Sequence, residues 1–249
     1  MMNTLDVRAL DIIAGHRTLV SKLDLQINRG EFWCVLGKNG SGKTTLLQAL
    51  AGLGQPTQGQ IRLCGDFLQR TPSDVLARRR GLLPQQTVDV FAHTVFEAVV
   101  IGRVPSRFGN SASLSADEEA VDVALARVGL QGTQGRNVRT LSGGERQRVA
   151  LAALLVQSPE LMLLDEPVSH QDISQQLQVM RLLRELSVHH AVVASCHDVN
   201  LAKRFATHAL VLGDERHWIG TVEDTLTREL LATAYGCQFA SQGDWLVPV

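Results

Sequence analysis

Short apolar segments without polar alternation recur along the chain, separated by stretches with helical periodicity. Such segments lie at residues 32–36, 161–164, 191–195 and 209–212. Each has the length and composition of a strand that is buried on both faces. Continuous apolar strands that alternate with helices are typical of an α/β fold. We therefore predict a central sheet that is mostly parallel and covered on both sides.

The N-terminal region has a different pattern. Residues 4–28 contain two strand-like stretches, and in the second one Leu23, Leu25 and Ile27 alternate with polar residues. This alternation predicts a half-buried antiparallel strand. Residues 61–64 are predicted to form a further edge strand. The pattern therefore indicates an N-terminal antiparallel β subdomain.

A long stretch with helical periodicity interrupts the β pattern. It contains two S-x-x-E sequences, at residues 115–118 and 142–145, and this spacing is typical of a capping box at a helix N-terminus. We predict an inserted helical subdomain at residues 93–158. Residues 1–92 and 159–249 would then form the rest of one continuous 249-residue domain.

Composition excludes several classes of protein. The chain is 45% hydrophobic and 20% charged, with a net charge of −1, so no bulk field steers it to nucleic acid. No apolar run approaches the length of a membrane span. The N-terminus lacks the basic and apolar regions of a signal peptide. We expect a protein that is cytoplasmic, or peripheral to a membrane through a partner.

Two further features have unremarkable interpretations. The basic stretch at residues 78–80 is predicted to be a solvated face. The cysteines have no C-x-x-C spacing, so we expect buried thiols in a reducing compartment and neither disulfides nor a metal site. They are Cys34, Cys64, Cys196 and Cys237.

Residues 37–45 read GKNGSGKTT, which matches the phosphate-binding pattern G-x-x-x-x-G-K-[ST]. A predicted buried strand precedes this loop and a predicted helix follows it, as the motif requires. The glycines let backbone N–H groups turn toward phosphate oxygens. Lys43 can reach the β- and γ-phosphates, and the Thr44 hydroxyl can ligate Mg²⁺. The candidate ligand-binding residues are Gly37, Asn39, Gly40, Ser41, Gly42, Lys43, Thr44 and Thr45.

Polar side chains end two of the predicted buried strands. Asp165 and Glu166 follow residues 161–164, and His197 follows residues 191–195. Ligands of parallel sheets bind beyond the carboxyl ends of the strands. Asp165 could therefore hold Mg²⁺, directly or through water, and Glu166 could polarise an attacking water. His197 can reach the same edge.

A second helix N-terminus is predicted within LSGGERQR at residues 141–148. It combines a serine hydroxyl with glycine amides, which is typical of an anion site. Its candidate residues are Ser142, Gly143, Gly144 and Glu145. One chain cannot bring both helix ends onto one nucleotide, but two chains that face each other in a C2 dimer can do so.

In sequence and order, these motifs resemble those of the nucleotide-binding subunits of ABC transporters, over essentially the whole chain. The resemblance implies a P-loop NTPase fold (an ABC cassette) that binds ATP and Mg²⁺ and hydrolyses ATP. It implies catalytic roles for Glu166, His197, Gln85 and Lys43. Gln85 would sense Mg²⁺ and the membrane partner. The candidate Mg²⁺ ligands are therefore Thr44, Gln85 and Asp165. Asp172 matches the D-loop aspartate.

The resemblance also implies partners and a location. The partners are a second copy of the chain, transmembrane permease subunits and, indirectly, a substrate-binding protein, with no nucleic acid. The location is the cytoplasmic face of the inner or plasma membrane. The coupling groove is expected near residues 85–103. Residues 94–105 and 234–239 are similar to importers of iron–siderophore, haem or cobalamin.

The chain departs from the family pattern at two places. An aromatic residue often precedes the phosphate loop and stacks on adenine, but residues 12–16 contain no Tyr, Phe or Trp. His16 is a substitute candidate for that contact. Gln171 stands in the D-loop where leucine is usual, and we infer no loss of catalysis from it.

Other functions remain alternatives to import. A soluble ABC ATPase that acts on nucleic acid or ribosomes usually carries two cassettes or long coiled-coil insertions, whereas only residues 86–140 separate Gln85 from the second helix motif. An exporter subunit is disfavoured by the similarity of residues 94–105 to importers. A non-catalytic cassette would be expected to lack Lys43, Glu166 or His197.

Overall fold

The computed structural model describes residues 3–85, 92–103, 114–169, 171–214 and 216–249. Its strands are β1 (Leu5–Ala14), β2 (Arg17–Ile27), β3 (Phe32–Gly37), β4 (Gln58–Leu63), β5 (Asp66–Phe67), β6 (Arg80–Leu83), β7 (Leu161–Leu164), β8 (Ala191–Ser195), β9 (His208–Leu212), β10 (His217–Thr221), β11 (Phe239–Gln242) and β12 (Trp245–Pro248). Its α-helices are α1 (Lys43–Leu50), α2 (Ser73–Arg79), α3 (Val95–Val100), α4 (Leu114–Arg127), α5 (Gly143–Gln157), α6 (Ile173–Ser187), α7 (Val199–Phe205), α8 (Val222–Thr225) and α9 (Arg228–Tyr235). Short 3₁₀ segments lie at Leu68–Arg70, Ile101–Arg103 and Val138–Thr140.

The central sheet has the strand order β10-β9-β3-β8-β7-β6. All of its neighbouring pairs are parallel except β9 and β10. Every residue of β3, β7 and β8 is buried, as expected for parallel strands covered on both faces. This confirms the predicted α/β fold with a mostly parallel sheet, and it places the carboxyl ends of β3, β8, β7 and β6 side by side.

Alternate residues of β3 face two different cores. Phe32, Cys34 and Leu36 belong to a large cluster that includes residues of α4, α5, α6 and α7. Trp33 and Val35 belong to a second cluster between the central sheet, α1 and the N-terminal sheet. Because successive side chains of a strand point to opposite faces, β3 contributes to a hydrophobic layer on each side of the central sheet.

The N-terminal antiparallel sheet has the order β2-β1-β4-β5, which confirms the predicted β subdomain. The prediction that residues 61–64 form an edge strand is wrong. Cys64 and Gly65 both have positive φ and turn the chain back, so that Asp66 and Phe67 pair with β4. The strand β4 therefore lies inside the sheet, and its apolar residues pack in the second core.

The basic stretch is only partly solvated. Arg78 and Arg79 form exposed ion pairs with Asp74 and Asp66. Arg80 instead begins β6 and is half-buried, and its Nε atom is buried without a hydrogen-bond partner in the described chain. Burial lowers the pKa of Arg80. The predicted solvated face is therefore wrong at this residue, because it continues into a sheet strand.

The helical stretch lies between β6 and β7, and α3, α4 and α5 pack against one another. One predicted capping box is present, since Ser142 caps α5 and exchanges hydrogen bonds with Glu145. The other, at residues 115–118, lies at the N-terminal end of α4, directly after residues outside the described part of the chain, and stays a prediction. Nothing in the described part of the chain is a helix long and apolar enough to cross a bilayer.

Candidate functional site

An open cavity of about 670 Å³ lies at the edge where the parallel strands end. Its walls come from the N-terminal sheet, the phosphate loop and the residues that follow β6, β7 and β8. The N-terminal sheet contributes Ala14, Arg17 and Leu19. The remaining lining residues are Asn39, Gly40, Gly42, Lys43, Thr44, Thr45, Gln85, Glu166 and His197.

The loop between β3 and α1 has a backbone that only glycine adopts easily. Gly37, Gly40 and Gly42 have φ values of 147°, 73° and 99°. A Cβ at Gly37 would lie 2.6 Å from the carbonyl oxygen of Leu212, so a larger residue would displace the loop. The helix α1 then begins at Lys43, and its first N–H groups have no acceptor within the helix. This helix end favours an anion in the cavity.

Lys43 is fixed by its own loop. It is 6% exposed, and its Nζ donates hydrogen bonds to the carbonyl oxygens of Gly37 (2.9 Å) and Lys38 (3.1 Å). Burial lowers the pKa of Lys43, while the carboxylates of Glu166 and Asp165 act in the opposite direction. A cation held in this way provides a fixed positive charge for a phosphate group.

Two residues of the predicted loop set do not line the cavity. Gly37 N–H donates to the hydroxyl of Tyr235 (3.1 Å). Ser41 N–H donates to the carbonyl oxygen of Lys38, and the buried Ser41 Oγ has no hydrogen-bond partner among the described residues. These atoms build the loop, whereas Asn39, Gly40 and the four residues from Gly42 to Thr45 face the cavity.

The carboxylate of Glu166 contacts Gln85 and His197, which were both predicted to act with it. Gln85 Nε2 donates to Glu166 Oε2 (2.9 Å), and His197 Nε2 lies 2.5 Å from Glu166 Oε1. The Glu166 side chain is 14% exposed and that of His197 is 46% exposed. Glu166 also has a φ of 50°, a strained value for a residue other than glycine. The structure therefore brings Gln85, Glu166, His197 and Lys43 to one cavity.

Asp165 lies behind this cluster and does not line the cavity. It is 3% exposed, and its Oδ1 accepts a hydrogen bond from Ser195 Oγ (2.6 Å). The same Ser195 Oγ accepts a hydrogen bond from Glu166 N–H (2.8 Å). Sequence reasoning missed Ser195, although a signal existed. Leu164 pairs with Ala194 in the parallel register, so the next residues of the two strands are neighbours.

Tyr235 is a second residue that sequence reasoning did not connect to the site. It ends α9, and its hydroxyl accepts the amide of Gly37 across 198 positions of sequence. Its ring packs against Phe239, with ring centroids 5.9 Å apart. Burial raises the pKa of Tyr235 to about 12, so the phenol stays neutral at physiological pH. The C-terminal region thus supports the first residue of the phosphate loop.

The second predicted anion site lies outside the cavity. Ser142 N–H donates to Glu145 Oε2 (2.8 Å), and Glu145 Oε1 accepts from Arg136 (2.9 Å). The hydrogen bond from the Ser142 backbone is the main cause that lowers the pKa of Glu145. None of the predicted residues Ser142 to Glu145 lines the cavity of the same chain. Asp172, the D-loop match, caps α6 through Gln175 N–H.

The wall near the N-terminal hairpin also differs from the prediction. His16 is exposed and does not line the cavity, whereas Ala14 and Arg17 on either side of it do. Sequence reasoning missed Arg17 because it looked for an aromatic ring or a histidine at this place.

A family model described as ABC transporter matches residues 20–169 of the chain. The cobalamin import ATP-binding protein of Halobacterium salinarum is 37% identical over 95% of this chain. The chain spans only 60% of the length of that relative. The hemin import ATP-binding protein of Jannaschia sp. is 39% identical, with 94% of this chain and 87% of that protein covered. The ferric enterobactin transport ATP-binding protein of Escherichia coli is 37% identical, with 89% and 83% covered.

Solved structures resemble the fold over most of its length. A structure described as an inward-facing conformation of a metal-chelate type ABC transporter has a TM-score of 0.83 and 28% identity, with 99% of this chain and 98% of that chain covered. A dimeric ATP-binding cassette in a post-hydrolysis state with ADP and phosphate has a TM-score of 0.76 and 25% identity, with 86% and 98% covered.

Proposed function

Because the chain belongs to the ABC transporter family, we propose that it is the ATP-hydrolysing subunit of an importer for a metal chelate. The observation that carries the proposal is the position of Glu166. Its carboxylate is held between Gln85 and His197, in a cavity that the phosphate loop and Lys43 also line. A phosphate-binding end and a positioned carboxylate in one cavity are the parts that hydrolysis of a nucleoside triphosphate needs.

The phosphates of ATP bind at the start of α1. Backbone N–H groups of the loop and the positive end of the helix attract the anion, and Lys43 adds a full charge. Thr44 and Thr45 line the same wall. Phosphoryl transfer to water is largely a matter of positioning and charge neutralisation. This rigid loop positions the phosphates, and its lysine neutralises part of their charge.

The residues around the cavity fit Mg²⁺, which would neutralise charge on the phosphates when bound. Thr44 offers a hydroxyl in the cavity, and Gln85 offers its side-chain oxygen because its nitrogen donates to Glu166. Asp165 is buried and bonded to Ser195, so we assign it a contact through water. Magnesium is commonly held by one or two carboxylates together with substrate phosphates, and Asp165 would supply the carboxylate of this set.

Glu166 orients the attacking water and accepts its proton. Both carboxylate oxygens have a donor in the structure, from Gln85 and His197, so the side chain is held in one orientation. The side chain of His197 is more exposed than that of Glu166, and we assign it the contact with the γ-phosphate. Ser195 holds the backbone N–H of Glu166 and keeps the carboxylate at the strand end.

A second copy of the chain completes the site. The N-terminus of α5 is an anion-binding end with the hydroxyl of Ser142 and the adjacent glycine amides, but it lies outside the cavity of its own chain. Two copies related by a twofold axis place this end of one chain over the phosphate loop of the other. The similarity to a dimeric cassette with ADP and phosphate supports this arrangement. Glu145 contributes by building the cap.

The permease docks beside Gln85. A groove of about 720 Å³ lies between the end of β6 and helices α3 and α5, with Leu82, Pro84, Ile101 and Ala150 among its walls. Ile101 is 64% exposed and contributes an apolar side chain to the wall of this groove. We assign this groove to a cytoplasmic helix of the transmembrane subunit. The chain is then peripheral at the cytoplasmic face of the membrane.

Relatives that are named for the import of cobalamin, hemin and ferric enterobactin support a metal chelate as cargo. A substrate-binding protein would deliver the chelate outside the membrane, and we assign no nucleic-acid partner. Part of the segment that resembles importers, residues 104–105, lies outside the described residues. Residues 92–103 line the docking groove in part, which suits an importer subunit better than a soluble ATPase.

The catalytic proposal is tested with Glu166→Gln. This variant should still bind ATP, because the phosphate loop is intact, and should lose roughly 10²- to 10⁴-fold in turnover. Steady-state ATPase activity and ATP binding are measured on the same preparation. Glu160→Gln is the matched control, since Glu160 precedes β7 whereas Glu166 follows it. Near-normal turnover of Glu166→Gln would remove Glu166 from the proposed role.

The docking proposal is tested with Ile101→Arg. Tagged protein is recovered from detergent-solubilised membranes of the native host, and the bound membrane proteins are identified. Wild type and Val188→Arg, which changes an equally exposed apolar residue elsewhere, should recover a polytopic membrane protein, and Ile101→Arg should not. Recovery of ribosomal or DNA-associated proteins alone would contradict the transport role.

A further inference from the structure

The hairpin between β1 and β2 closes one wall of the nucleotide cavity. Ala14 ends β1, Arg17 begins β2, and Leu19 follows two residues later. All three line the cavity. Ala14 offers only a methyl group, and Leu19 lies over the loop, where a Cβ on Gly42 would be 2.9 Å from it. Among these wall residues, Arg17 therefore has the one side chain with a planar group.

Two contacts hold the guanidinium of Arg17. Nη1 donates to the carbonyl oxygen of Gly40 (3.2 Å), and Nη2 donates to Asp214 Oδ1 (3.3 Å). Asp214 follows β9, and its other carboxylate oxygen lies 3.9 Å from Lys38 Nζ. The group is thus connected to the phosphate loop on one side and to the central sheet on the other.

Neither of these hydrogen bonds uses a flat face of the guanidinium. All N–H groups of arginine lie in the plane of the group, so hydrogen bonds to Gly40 and Asp214 occupy its edges. The Arg17 side chain is 58% exposed. Guanidinium planes stack on aromatic rings and on nucleobases. The cavity wall therefore holds a braced cation whose side chain is more than half exposed.

The rest of the cavity is assigned to the triphosphate. The loop and Lys43 hold the phosphates, and Gln85, Glu166 and His197 act at the γ-phosphate. The base is the part of ATP farthest from the γ-phosphate. The wall that remains for it is the one formed by the hairpin of the N-terminal sheet.

We propose that Arg17, braced by Asp214, binds the nucleobase of ATP by stacking its guanidinium plane on the ring. Arg17 then takes the place of the upstream aromatic residue that this chain lacks, and His16 does not. This assignment rests on the ATP binding proposed above. A stacked guanidinium recognises the face of a ring and makes no use of its hydrogen-bonding edge, so ATP and GTP should bind with similar affinity.

The test compares two ligands that differ in having a base. Dissociation constants of the full-length chain are measured by calorimetry for ATP and for inorganic tripolyphosphate in the same buffer. Arg17→Ala should weaken ATP binding by about 2- to 5-fold, the range of an exposed cation–π contact, and leave tripolyphosphate binding within about twofold. Arg17→Tyr should restore ATP binding, since tyrosine again offers a ring face.

Matched variants separate this inference from the proposed function. His16→Ala, next to Arg17 but outside the cavity wall, should change neither constant. Lys43→Ala should weaken both ligands, because it removes a phosphate contact. Asp214→Asn should weaken ATP binding less than Arg17→Ala does.

Two results would overturn the role of Arg17 without touching the proposed function. One is an equal loss for ATP and tripolyphosphate in Arg17→Ala, which would mean that Arg17 acts through the loop or the phosphates. The other is no loss for either ligand. If the wild-type chain bound neither ligand, the proposed function and this inference would both fail.

Discussion

At the scale of single residues, the site depends on a few residues that each form hydrogen bonds with two neighbours. Ser195 Oγ donates to Asp165 and accepts from the backbone of Glu166. Glu166 in turn accepts from Gln85 and His197. A buried polar group that loses its partner costs more than the hydrogen bond itself was worth, so this chain of contacts fixes both carboxylates, which follow β7, against the end of the adjacent strand β8.

Ser195→Ala tests this arrangement. It leaves Asp165 Oδ1 and Glu166 N–H without their partner, so we expect a loss of about 1–3 kcal/mol in the free energy of unfolding. Turnover should also fall, because Glu166 loses its backbone anchor. Urea unfolding and ATPase activity measure the two effects.

Ser187→Ala is the control for this prediction. Ser187 is also a buried hydroxyl, and it donates to Arg184 within α6, away from the cavity. It should lower stability by a comparable or smaller amount and leave turnover unchanged. Equal turnover in Ser195→Ala and wild type would show that the serine has no part in positioning the carboxylate.

The residues of the site were predictable from the sequence only in part. Lys43, Gln85, Glu166 and His197 follow strands or open a helix within recognisable motifs, and all four line one cavity. Arg17 and Tyr235 carry no motif. Their roles depend on contacts across 197 and 198 sequence positions, and local patterns contain no information about such pairs.

At the scale of secondary-structure elements, periodicity was a good guide to strands that are buried on both faces. The strands β7 and β8 lie at the predicted residues. Errors arose where tertiary pairing decides the outcome. The strand β4 pairs with a short neighbouring strand that follows a tight turn, and Arg80 belongs to a strand of the central sheet.

The hydrogen bond between Gly37 and Tyr235 connects the phosphate loop to α9. A substitution at Tyr235 tests what this contact between two elements contributes. Tyr235→Phe keeps the ring against Phe239 and removes the acceptor of Gly37 N–H. We expect the KM for ATP to rise severalfold with little change in kcat, since the loop positions the phosphates. Stability should fall by about 1 kcal/mol.

Phe239→Leu separates packing from hydrogen bonding at this contact. It removes the ring that packs on Tyr235 but keeps the hydroxyl, so stability should fall while the KM for ATP stays close to that of the wild type. If both variants raised KM equally, general loosening of the C-terminal region would explain the effect, and the hydroxyl of Tyr235 would have no specific role.

At the scale of the whole molecule, the architecture presents two anion-binding ends that do not meet within one chain. The phosphate loop opens α1 at the edge of the central sheet, and Ser142 opens α5 in the helical stretch. Each end is rigid, because α1 packs in one core and α5 in the other. The proposed division of the chain at residues 93–158 therefore separates two half-sites, which a twofold dimer would join.

The most direct test of this account is the molar mass of Glu166→Gln in solution with Mg²⁺ and ATP, measured by sedimentation equilibrium. The account predicts a mass of twice the 27.2 kDa monomer when ATP is present and the monomer mass when it is absent. Adding Ser142→Arg should keep ATP bound to each chain but prevent the shift. A Glu166→Gln protein that is saturated with ATP and remains a monomer would contradict the composite site.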